Sequence, residues 1–330
     1  MPRTAQDTRR EQRAAVAAPP PAPPPAPGRA SRRRRPRDRE GAAGYIFLSP
    51  WMLGFLGLTL GPMLASLYLS FTDYNLFTAP SWVGLDNYRR LFADDQWLQS
   101  IRVTALYVLL AVPLKLALAL AVAMLLAAPH RGQGMYRSAF YAPSLLGASV
   151  SVALVWRALF SDGAVVDRLL RSVGVQTGGW VGNPDYALLL LVLLAVWQFG
   201  APMVIFLAGL KQVPRQYYEA AEVDGAGWWR RFRAITLPMI SPVLFFNLLL
   251  ETVNSFQVFT ASFVISGGTG GPAGSTLIYT LYLYQQAFTH YQMGYASAMA
   301  WMLILGAGLV VVALFRMSRT MVFYSGDEGR

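Results

Sequence analysis

The residues best suited to chemistry interrupt one apolar run. Asn247, Glu251, Asn254, Ser255 and Gln257 all fall within Leu237–Ile265. Counted from Asn247, a helix brings Glu251, Asn254 and Ser255 onto the same stripe. That stripe offers donors and acceptors for a hydroxylated solute. Trp197, Gln198 and Phe199, in an earlier apolar run, could complete such a site with an aromatic platform. The plainer reading is a set of packing hydrogen bonds between helices that never meet a solute. Lys115 lies mid-run as well and is expected to face inward, paired with a carboxylate or with backbone carbonyls. Arg157, near the end of its run, is expected to reach lipid headgroups. The absence of cysteine excludes thiolate metal sites, disulfides and cysteine catalysis. Two histidines, His130 and His290, read as loop residues rather than a zinc centre. The glycine-rich Ser266–Pro272 lacks the Gly-Lys-Ser/Thr ending of a phosphate loop and reads as a turn, so no cofactor is expected.

These residues must be positioned by membrane-spanning helices. The 330 residues are 55% hydrophobic and only 14% charged, against about 25% charged in soluble domains. Six apolar runs can each cross a hydrocarbon core of about 30 Å: Ala42–Phe71, Val103–Ala128, Ser138–Phe160, Ala187–Leu210, Leu237–Ile265 and Tyr295–Phe315. Pro50 and Pro62 interrupt the first, Pro113 the second and Pro202 the fourth; neighbouring helices must satisfy the carbonyls so freed. The expected class is therefore all-α, a polytopic membrane protein with six transmembrane helices.

The net charge of +11 is concentrated rather than spread. Residues 1–41 hold eleven arginines and a run of prolines, which predicts a disordered tail held against an anionic leaflet rather than a nucleic-acid arm. No cleaved signal peptide is expected, because some forty polar residues precede the first run. With the tail inside, the inner segments also hold Arg131, Arg137, Lys211, Arg215, Arg230, Arg231, Arg233, Arg316, Arg319 and Arg330. The outer segments hold Arg89, Arg90, Arg102, Arg168 and Arg171. That asymmetry puts both termini in the cytoplasm of a bacterial plasma membrane. The domain plan is a tail (1–41), a six-helix permease domain (42–316) with a cytoplasmic loop at 211–236, and a short cytoplasmic end (317–330).

The loop between the fourth and fifth runs is unusual. Tyr217–Asp224 is helix-prone, Gly225 and Gly227 stop it, and Trp228–Ile235 reads as a second short helix. Glu219 is expected near a helix N-terminus, where its charge suits the dipole. Such an amphipathic knuckle can sit in a groove of a soluble partner and turn the partner's movement into helix tilting. An ordinary interfacial helix pair fits the same residues, with Trp228 and Trp229 at headgroup level.

Glu219-Ala220-Ala221, Gly225, Ile235, Leu237 and Pro238 resemble the signature of binding-protein-dependent ABC importer permeases. Asp224-Gly225-Ala226, Val83–Phe92 and Met293–Ala298 are similar to the carbohydrate branch, of the maltose and glycerol-phosphate first-permease type. Val103 stands where that family usually has Asn, and so does Asp167. The resemblance implies a type I importer permease fold with a coupling helix between spans four and five. It implies a second permease subunit, two copies of a cassette ATPase that docks on Glu219–Pro238, and an extracytoplasmic solute-binding protein. This subunit itself would be non-catalytic. The resemblance also implies a solute pathway through Glu251, Asn254 and Ser255, with Asn247 beside them, and through Trp197, Gln198, Gly200 and Met203 on span four. A sugar is the expected solute. Glycerol-phosphate, a polyol or another non-sugar solute is the alternative, and a stand-alone secondary transporter a weaker one, since Glu251 and Lys115 make a poor ion relay.

Overall fold

The computed structural model describes residues 47–128, 132–147 and 149–321, with side chains as far as 318. Residues 1–41, His130 and 322–330 lie outside them. The first run forms helix α1, Phe47–Leu69. Residues 47–60 continue through Pro50, wind with π geometry over Phe55–Leu60 and bury no side chain. Phe47 is 87% exposed, as expected of a helix whose solvent is lipid. From Gly61 to Leu69 the helix packs on the last helix of the chain.

A two-residue antiparallel pair follows, β1 Thr72–Asp73 with β2 Ser81–Trp82, and then the short helix α2, Asp86–Phe92. Asp94 caps α3, Asp95–Ala127, by accepting from the N–H groups of Gln96 and Trp97. This helix carries Pro113 without a break. Next come α4 (Gln133–Leu146), α5 (Val150–Phe160) and α6 (Val165–Ser172). Asn183 caps α7, Pro184–Trp197, whose first residue is a proline already set at a helical φ. Helix α8 (Gly200–Gln212) bends from it by 44°. The loop holds α9 (Arg215–Val223) and α10 (Trp228–Met239), the latter with π geometry over Phe232–Thr236. Helix α11, Ser241–Phe256, leaves α10 at 69°. The chain closes with α12 (Thr260–Ser266), α13 (Tyr279–Tyr284) and α14 (Met293–Met321).

Among the described residues, three helices are long and apolar enough to span alone, and bent pairs raise the number to as many as six. Three apolar clusters hold the bundle. One joins α3 to α8 around Ala119, Met203 and Phe206. A second joins α3 to α7 around Leu190 and Ile278. The third gathers Leu91, Trp97, Leu281 and Met299.

Three expectations need correction. Leu237–Ile265 is not one helix, because α11 ends at Phe256 and α12 restarts at Thr260. The cause is tertiary: the Val258 carbonyl accepts from Thr280, and the Phe259 ring packs on Phe263 and Tyr284. The last helix runs to Met321, so part of the expected C-terminal tail is helical. Arg157, expected at headgroup level, turns to the protein instead: it donates to the Val264 carbonyl at 3.0 Å, near the C-terminus of α12.

The proline break in the fourth span is satisfied by a neighbour. Pro202 has no N–H for the Gln198 carbonyl, and Ser144 of α4 donates to that oxygen at 2.9 Å. The same hydroxyl accepts from the Ala201 N–H at 3.0 Å. Gly200 makes this approach possible, since a Cβ there would lie 2.4 Å from the Phe140 carbonyl oxygen.

Candidate functional site: a polar cavity and a coupling knuckle

Helices α3, α7 and α11, together with residues 257–261, line a cavity of about 330 Å³. Glu251 and Ser255 reach it from the buried side of α11, and Asn254 from an exposed position. Gln198 enters from the break between α7 and α8, and Tyr107 and Lys115 from α3. The Lys115 ammonium lies 2.7 Å from a carboxylate oxygen of Glu251, with side chains only 15% and 11% exposed. Removing one partner of so buried a pair strands the other charge, typically at a cost of about 3–5 kcal/mol. The cavity thus presents a neutralised ion pair, a phenol, three amides (Gln198, Asn254 and Gln257) and the hydroxyls of Ser255 and Thr260, a set able to hydrogen-bond a polyhydroxyl compound.

The remaining expected pathway residues lie elsewhere. Trp197 turns to Trp156, ring centroids 5.9 Å apart, and lines a different, apolar concavity with it. Met203 is fully buried in the α3–α8 cluster. Gly200 is the contact point of α4 and α8. Asn247 is buried, its Nδ2 has no hydrogen-bond partner among the described residues, and it is not part of the cavity wall. None of these four lines the cavity; a uniform apolar run does not show how its helix is rotated.

The knuckle has the expected shape. Helix α9 stops at Val223, and Gly225 follows at φ +71°, a left-handed conformation that glycine adopts freely. The Ala226 N–H then bonds to the Ala221 carbonyl at 2.8 Å. Across the turn, Glu222 pairs with Arg231, and Trp228 stacks on Phe232 at 5.8 Å. Tyr218 and Thr236 share a hydrogen bond of 3.0 Å that ties α9 to the base of the fifth span. Ile235 packs against the α3–α8 core, with Leu237 and Pro238 half-buried beside it. Glu219, Ala220 and Asp224 face outward and Ala221 is half-buried. Because α9 begins at Arg215, Glu219 sits in its second turn, not at its N-terminus.

A third constellation was not singled out from the sequence. Asp94, besides capping α3, accepts hydrogen bonds from the hydroxyls of Tyr282 and Tyr295 at 2.6 and 2.5 Å. Burial opposes its charge, but those hydroxyls and the Trp97 and Gln96 N–H groups outweigh it and hold the carboxyl below its ordinary range. The Arg90 guanidinium stacks 4.5 Å above the Tyr295 ring. Nearby, Asn87 donates to the carbonyls of Ser70 and Thr72, and Gly294 packs so closely that a Cβ would meet the Thr72 oxygen at 2.0 Å. The Val83–Phe92 and Met293–Ala298 segments therefore form one knot, a structural reason for their pattern. Asp167 organises residues 161–179 similarly. Burial opposes its charge too, yet Gly163 N–H, the Thr177 hydroxyl, Gly179 N–H and Arg171 hold its carboxyl below the ordinary range.

Comparison with known proteins agrees with this architecture. The family described as binding-protein-dependent transport system inner membrane component matches residues 91–321. The probable ABC transporter permease protein YesP of Bacillus subtilis (strain 168) is 49% identical over 301 residues, covering 91% of this chain and 97% of its own. The lactose transport system permease protein LacF of Rhizobium radiobacter is 31% identical over 291 residues, covering 86% and 94%. A solved bacterial ABC transporter involved in the import of the acidic polysaccharide alginate has a chain with the same fold. Its TM-score is 0.74 at 20% identity, and the match covers 86% of this chain and 97% of that one. The chain is a membrane-embedded permease and belongs to the binding-protein-dependent transport system inner membrane component family.

Proposed function

We propose that this permease is one half of the translocation pathway of an ATP-driven sugar importer in a bacterial plasma membrane, with both termini cytoplasmic. A second permease subunit supplies the other half of the pathway. Two copies of a cassette ATPase hydrolyse ATP, and an extracytoplasmic solute-binding protein delivers the sugar. This subunit carries out no bond chemistry; it binds, shields and passes the solute.

One observation carries the reading. Helix α11 bears Glu251 and Ser255 on its buried side and is joined at its base to the exposed knuckle. Ser241 and Glu251 are ten residues apart, roughly 15 Å along the helix. A cassette that moves the knuckle therefore moves the helix that walls the cavity, and solute contacts bias the same helix in return. A sugar fits the cavity better than an ionic solute, because the only formal charges on the wall, Lys115 and Glu251, cancel. The LacF relative, a lactose transport permease by name, supports the sugar class.

Reconstitution tests this. Vesicles holding the permease with its partner permease, cassette ATPase and binding protein should take up labelled sugar when ATP is supplied. Glu251→Ala and Asn254→Ala should slow uptake or change the preferred sugar while the complex still assembles. Unchanged kinetics across a sugar panel in both variants would remove the cavity from the pathway.

A further inference from the structure

A larger concavity, about 650 Å³, lies against the knuckle at the opposite end of the spans from the Asp94 knot. Its wall divides by chemistry. Met124, Leu210 and Phe232 make an apolar floor, and Lys211, Arg215 and Arg231 supply cations. Arg231 is already paired with Glu222, but Lys211 and Arg215 have no carboxylate in ion-pair reach among the described residues. Trp228, also on the wall, leaves 63% of its surface exposed.

A solvated cationic surface needs no apolar floor, and a packing gap in an apolar core would not be ringed by cations. The combination suits an amphiphile whose phosphate meets Lys211 and Arg215 while its first acyl carbons meet Met124, Leu210 and Phe232. The position agrees, since tryptophan favours headgroup level and basic recesses between spanning helices on the cytoplasmic side attract anionic headgroups. We infer that this recess holds the headgroup of an anionic phospholipid, bridging the end of α8 to the knuckle. The inference goes beyond the sugar reading and rests only on the cytoplasmic placement of the loop.

The test uses the purified importer complex, stripped of lipid by detergent and titrated with phosphatidylglycerol, phosphatidylcholine or inorganic phosphate. Bound lipid is counted by native mass spectrometry, and thermal stability is followed in parallel. Phosphatidylglycerol alone should be retained and should raise the melting temperature. The double variant Lys211→Gln/Arg215→Gln should need roughly 30-fold more of it, from the lost attraction of two cations, whereas Lys211→Arg/Arg215→Lys should behave as wild type. Equal stabilisation by phosphatidylcholine, the same shift with inorganic phosphate, or an unchanged titration in the double variant would each overturn the assignment. If the double variant does not assemble, the comparison of the two lipids on the wild-type complex still decides. Uptake is not a readout here, so the outcome is independent of the solute's identity.

Discussion

The Lys115 ammonium and the Glu251 carboxylate meet at 2.7 Å although 136 residues separate them in sequence. The pair therefore locks α3 to α11 across the cavity wall. Lys115→Ala and Glu251→Ala should each lower the stability of the purified complex by about 3–5 kcal/mol, because each strands one buried charge. The double variant should recover most of that loss yet remain impaired in uptake. Thermal denaturation of all four proteins supplies the double-mutant cycle. Additive losses in the double variant would mean that the two groups do not stabilise one another.

Coupling should fail at Gly225 without loss of the spans. Its φ of +71° is open in space but strained for any L side chain, so Gly225→Val should distort the turn at a cost of about 1–2 kcal/mol. Glu219→Lys keeps the helix and reverses an exposed charge. Both variants should reach the membrane and lose ATP hydrolysis stimulated by loaded binding protein. Full stimulation in both would show that the knuckle is not the coupling element.

Topology is testable at exposed positions. Single cysteines replacing Ser81, Val175 and Ala273, all exposed, should react with an impermeant maleimide added to whole cells, and one replacing Gly227 should not. Thr177 and Gly274 make poor probes: the first is buried against Asp167, and a Cβ on the second would lie 2.3 Å from Gln99. Labelling at position 227 from outside would invert the arrangement.

Asp94 should give the fold an acid limb. Its carboxyl ionises more readily in the folded protein than in the unfolded chain. The stabilisation is therefore complete above the unfolded value, near 3.9, and is lost as pH falls through the lower folded value. Asp94→Asn should lower the melting temperature at neutral pH and leave a smaller further drop below pH 4 than wild type shows. Parallel acid limbs in the two proteins would exclude Asp94 as their source.

Much of this organisation was legible in the residues. Apolar run length located the spans, and Gly225 and Gly227 located the turn of the knuckle. The polar stripe located Glu251, Asn254 and Ser255, and an inward lysine was expected at Lys115. Helical rotation was not legible for span four, where Trp197 and Met203 sit in a nearly uniform apolar run with no polar face to orient it. The break at 257–259 carries no Gly or Pro, and the contacts it makes are with Phe263, Thr280 and Tyr284, which no local pattern announces. The Asp94 knot joins segments some 200 residues apart. Its one local trace is an acid followed by the start of a helical run, which reads as an ordinary cap.

The Ser144 hydroxyl braces the 44° bend of the fourth span from outside that span. The brace is a single oxygen on the adjacent α4, holding the Gln198 carbonyl on one side of the bend and the Ala201 N–H on the other. The side chain of the braced residue, Gln198, belongs to the cavity wall. The amide that faces the cavity and the carbonyl held at the bend therefore belong to one residue, so a molecule bound to the first would bear directly on the second.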